Sequence, residues 1–66
     1  MSMPLFDKRE VVILLRDVEF DGVVFPEGTE AVILELADDG CYRIELFEPK
    51  PVSVYVEQSW LTAANP

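Results

Sequence analysis

Sixty-six residues, half of them apolar, make one small domain and no more. Thirteen acidic residues against five basic ones give a formal charge of -8, which opposes a nucleic-acid backbone or an anionic membrane and favours a basic protein partner. A single cysteine excludes an internal disulfide, and the apolar content is too high and too well patterned for a disordered chain. The plainer reading of the acidity is that it keeps a small apolar domain in solution.

Residues 1–9 read as a flexible lead-in, 10–62 as the folded domain and 63–66 as a tail. The opening residues lack the apolar segment of a secretory signal, and the run 11–15 is far too short to span a bilayer. A cytoplasmic setting is the expectation. Residues 10–15 (EVVILL) predict a strand that is apolar on both faces, which suits a central strand or one covered on its second side. Residues 16–28 read as a long connection with two turn signals. Asp21-Gly22 is a tight-turn dipeptide, and Phe25-Pro26-Glu27-Gly28 fits a type I turn with proline second and glycine last.

Residues 29–36 and 41–47 predict a β-hairpin around Asp38-Asp39-Gly40, with Gly40 at the positive-φ position of a three-residue loop. That loop sets Leu36 against Tyr42, Leu34 against Ile44 and Val32 against Leu46, with Glu35 meeting Arg43 on the other face. A two-residue Asp39-Gly40 turn would oppose Leu36 to Arg43 and Glu35 to Ile44, moving every side chain to the wrong face. Pro49 and Pro51 interrupt the pattern, since neither can donate to a ladder. Residues 52–57 then alternate strictly, which places Val52 by Leu46, Val54 by Ile44 and Val56 by Tyr42. Arg43 and Tyr55 share the opposite face with Glu35, and Ile33, Glu45 and Ser53 form the next row. Gln58 to Leu61 suggests one helical turn before a short final strand, with Trp60 and Leu61 plugging the core.

A three-stranded meander with one apolar face needs a second layer. Closure by the first strand and the chain end gives an all-β fold: a small SH3-like five-stranded barrel, with a long first loop and a single helical turn before the last strand. The same residues resemble a bacterial domain-of-unknown-function family of short SH3-like proteins. Shared features are a loop ending in Gly28-Thr29, a valine-rich strand, the Asp39-Gly40 turn and the strand Tyr42-Arg43-Ile44-Glu45-Leu46. The resemblance spans residues 11–61 and extends to KOW-type modules. Ala31 stands where such modules often carry a second glycine, and Leu46 where phenylalanine is usual. The resemblance transfers no catalytic residue and implies an antitoxin-like or immunity-like role.

Chemistry is limited by inventory. The chain has no histidine, so neither a Ser-His-Asp nor a Cys-His constellation can be assembled, and an ordinary zinc site has no ligand set. The three glycines are isolated and form no phosphate cradle. Glu35 and Glu45 are the nearest pair for acid-base work, but Arg43 opposite Glu35 points to cross-strand pairing. Asp17, Glu19 and Asp21 alternate like the start of a calcium loop, yet the twelfth position falls on Gly28. Cys41 reads as a small half-exposed strand residue. The expectation is therefore no enzyme, no cofactor and no metal.

The candidate partner-binding set lies in the long connection: Asp17, Glu19, Phe20, Asp21, Phe25 and Glu27. Acids mixed with aromatics suit a basic, partly apolar protein. The competing reading folds Phe20, Val24 and Phe25 inward, because so short a chain needs every apolar side chain it can bury. An apolar first strand also leaves a homodimer or assembly subunit as the alternative function.

Overall fold

The structure, a computed structural model, describes residues 6–64. Residues 1–5 of the expected lead-in and 65–66 of the tail lie outside them. The strands are β1 (Val11–Leu14), β2 (Val18–Phe20), β3 (Val23–Phe25), β4 (Glu30–Leu36), β5 (Cys41–Leu46), β6 (Val52–Glu57) and β7 (Leu61–Ala63). Five form one antiparallel sheet in the order β6-β5-β4-β1-β7, while β2 and β3 form a separate two-stranded sheet. The all-β class is as expected, and a single 3-10 turn, Gln58–Trp60, does precede the last strand. Closure is not: β6 and β7 stand at opposite ends of the sheet with no pairing between them among the described residues. The three residues of β7 take their partners from β1, which leaves β6 an open edge.

The hairpin follows its expected register only near the loop. Leu36 pairs with Tyr42 and Glu35 with Arg43, and then the register shifts at a bulge between Ile33 and Glu35. Beyond it Ile33, not Leu34, opposes Ile44, and Ala31, not Val32, opposes Leu46. The outer row therefore runs through Val32, Glu45 and Ser53 instead of starting at Ile33. The cause is the second partner of β4. Residues 30–32 also pair with β1, and Ile33 exchanges bonds with the lead-in: its N–H donates to Glu10 O at 2.9 Å and its carbonyl accepts from Arg9 N–H at 2.7 Å. An unshifted strand would turn even-numbered residues inward, Glu30 among them, and burying an unpaired carboxylate is costly. One extra residue resolves the conflict. Ala31 and Ile33 are buried, whereas Leu36 is 52% exposed. The β5–β6 register is as expected at every pair from Leu46–Val52 to Tyr42–Val56.

Turn chemistry explains two further differences. In Asp38–Gly40 both Asp39 (φ 60°) and Gly40 (φ 76°) are left-handed, where the expected loop asked this only of glycine. A short polar side chain makes that tolerable for Asp39. The turn before β4 sits one residue later than expected. Thr29 N–H donates to Pro26 O at 3.0 Å and Gly28 has φ 94°, so the glycine occupies the third position of a type II-like turn. Thr29 Oγ1 also donates to Pro26 O at 2.6 Å.

The core gathers Val12 and Leu14 from β1, Val18 from β2, Phe25 from β3, Ala31 and Ile33 from β4, Tyr42, Ile44 and Leu46 from β5, and Val54 and Val56 from β6. Leu61 closes one end, with Trp60 packed partly buried beside it. Phe6 is also buried, so the lead-in contributes to the core. Its ring meets Tyr42 edge-on at 5.4 Å, and its N–H donates to Tyr42 Oη at 3.2 Å. Tyr42 Oη in turn donates to Gln58 Oε1 at 3.2 Å. One phenol thereby ties the chain start to the 3-10 turn across the end of the core. Tyr42→Phe keeps the ring and removes both bonds, leaving the Phe6 N–H short of its acceptor. The expected cost is about 1–2 kcal/mol by urea denaturation, with the fold retained by circular dichroism.

Candidate functional site

The connection expected as a loop over residues 16–28 is largely a hairpin. Val18 pairs with Phe25, Glu19 with Val24 and Phe20 with Val23. The Asp21-Gly22 turn carries positive φ at both residues (54° and 76°), the geometry that matches strand twist in a two-residue hairpin. The signal was present in the sequence, since Asp-Gly is flanked by Val-Glu-Phe and Val-Val-Phe. Three-residue strands are simply short enough to be read as loop.

Alternation within the hairpin decides the role of each candidate residue. Val18 and Phe25 face the main sheet and are buried, so Phe25 belongs to the core and presents no surface to a partner. Phe20 shares their side but lies nearer the tip, where it is 44% exposed. Glu19 and its cross-strand partner Val24 point the other way, and both are exposed. Asp17 is a hairpin fastener: its Oδ1 accepts the Glu27 N–H at 2.8 Å, joining the two ends of the hairpin. Asp21, at the tip, meets Lys50 Nζ at 3.9 Å. Glu27 is exposed beside Pro26. Of the six, only Phe25 is buried; Asp17, Glu19, Phe20, Asp21 and Glu27 are all exposed at the surface.

These residues flank a feature that sequence reasoning missed. A groove of about 600 Å³ is lined by Val24 and Pro26 of the hairpin side, Thr29 and Glu30 at the start of β4, and Phe47, Glu48 and Pro49 of the β5–β6 connection. Phe47 and Val24 are about half exposed. The Asp21–Lys50 pair joins the same two elements that wall the groove. Glu30 and Glu48 give it an acidic character, and neither takes part in an ion pair among the described residues. Three of the lining residues, Phe47, Glu48 and Pro49, lie past the end of β5, where the sequence reads Phe47 as the last residue of the strand and the prolines only as a stop to pairing.

Elsewhere the side chains do structural work. Arg43 Nε donates to Glu35 Oε2 at 3.4 Å, the expected cross-strand pair. The Arg16 guanidinium lies 4.6 Å from the Trp60 ring centre, and Leu15 N–H donates to Trp60 O at 2.7 Å. Cys41 is half-buried opposite Glu57. Among the described residues no three Cys, Asp or Glu side chains gather in a group able to hold a metal ion. No helix among them is long and apolar enough to cross a membrane.

Compared with known proteins, the chain matches no family model, no curated protein and no solved structure.

The two hairpin aromatics are separable by stability. Phe25→Ala should cost about 3–5 kcal/mol, close to the whole stability of so small a domain. Phe20→Ala should cost about 1 kcal/mol or less. Urea midpoints for both variants check the assignment, and equal losses would contradict it.

Proposed function

We propose that this chain is a non-enzymatic, acidic protein-binding module of the SH3-like barrel type, whose partner is a basic protein. The observation that carries the reading is the exposed apolar groove flanked by Glu30 and Glu48, which have no ion-pair partner among the described residues, on a chain of net charge -8. Apolar contact supplies affinity there, and charge supplies selection and a faster encounter. The barrel assignment is supported by the strand order β6-β5-β4-β1-β7, by the hairpin-bearing connection after the first strand, and by the 3-10 turn before the last. An immunity-like or inhibitory role follows from the family resemblance in residues 11–61, and the cytoplasm is the proposed setting. With no histidine in the chain, the familiar nucleophile-base pairs have no base, which supports a binding role over catalysis.

A second reading, self-association, is favoured by the open β6 edge and by exposed Val11, which starts β1, and Leu15, just past its end. Sizing at several concentrations separates the two, because self-association predicts a mass that rises with concentration.

Affinity capture with the intact chain should retain a basic protein at low salt and release it as ionic strength rises toward about 0.5 M. Salt-independent retention of an acidic protein would contradict the proposal.

A further inference from the structure

We infer that the groove between β3 and the β5–β6 connection takes a short extended peptide segment of the partner, anchored by an arginine. This deepens the binding-module reading above and rests on it. The groove is an open depression with walls on two separate parts of the fold, a shape that receives extended chain along its surface. Its walls are Val24, Pro26, Phe47 and Pro49, surfaces with few polar groups of their own, so the segment must offer apolar area. Its carboxylates, Glu30 and Glu48, have no cationic partner within the described residues, and Glu19 stands on the same hairpin face as Val24. A cation is therefore the complement.

Arginine meets both demands at once. Its aliphatic stem lies along proline and valine while the head stays at the carboxylates. Its planar guanidinium stacks on an exposed aromatic ring and pairs carboxylates through two parallel bonds, which a lysine ammonium does not. Phe47 is the half-exposed ring at this site. The fold itself contains the same kind of contact, Arg16 over Trp60. Nucleic acid is disfavoured as occupant by the same carboxylates, and a second copy of this chain by its net charge of -8.

The test is a titration of the isotope-labelled full chain by NMR, which reads weak binding residue by residue. The probe is the acetylated heptapeptide Gly-Leu-Arg-Pro-Leu-Arg-Gly. Saturable shifts should centre on the amides of Val24, Glu30, Phe47 and Glu48. Replacing both arginines with lysine should weaken binding roughly threefold, and with glutamine more. The Glu30→Gln/Glu48→Gln variant should weaken it roughly five- to tenfold. Both residues are exposed, so the variant should fold, which its unperturbed spectrum checks. Absence of saturable shifts at these amides up to several millimolar peptide would overturn the inference, as would equal binding by the variant. Failure of the groove is distinguishable from failure of the wider reading. A captured basic protein that binds parent and variant equally removes the groove and leaves the basic partner standing.

Discussion

The bulge between Ile33 and Glu35 is the constraint on which the rest depends. β4 has two masters. On one side the Asp38–Gly40 turn dictates its register with β5, and on the other β1 and the lead-in dictate which residues face the core. These demands differ by one residue, and in a strand one residue reverses every side chain. A single extra residue in β4 lets Glu35 meet Arg43 and Ile33 meet Ile44 in the same strand. The bulge also decides the direction of Glu30. With it, Ala31 is buried and Glu30 stays exposed; without it, the carboxylate would turn into the core.

That choice links fold to function. Glu30 lines the groove because β4 is shifted, Val24 lines it because hairpin alternation sends Phe25 inward, and Phe47 lines it because β5 has ended at Leu46. None of these residues is needed to fill the core, which is complete without them. The hairpin β2–β3 thus has two faces with different tasks. Val18 and Phe25 pack into the core of the open sheet, while Val24 and its neighbour Glu19 look outward.

What could be read from the sequence followed from local rules. The β5–β6 ladder was legible because strict alternation over residues 52–57 admits one register. Glu35 and Arg43 were legible because the three-residue loop reaches only that far. The bulge was not, because Ala31-Val32-Ile33-Leu34 is apolar throughout and carries no alternation to mark an inward face. The choice between its two faces was made by β1, a partner distant in sequence. Phe20 and Phe25 were indistinguishable by composition, and only pairing across Asp21-Gly22 separates the buried ring from the half-exposed one. The groove joins residues 24–30 with 47–49, so no local pattern announces it.

The bulge is tested most directly by the pattern of nuclear Overhauser contacts across β4 and β5. Backbone contacts are expected between Ile33 and Ile44 and between Ala31 and Leu46, with Ile33 methyl groups close to core side chains and Glu30 solvent-accessible. Continuous contacts from Leu36–Tyr42 through Leu34–Ile44 to Val32–Leu46 would contradict the bulge. In that case β4 would be unbulged, and the outward Glu30 that helps define the groove would be lost.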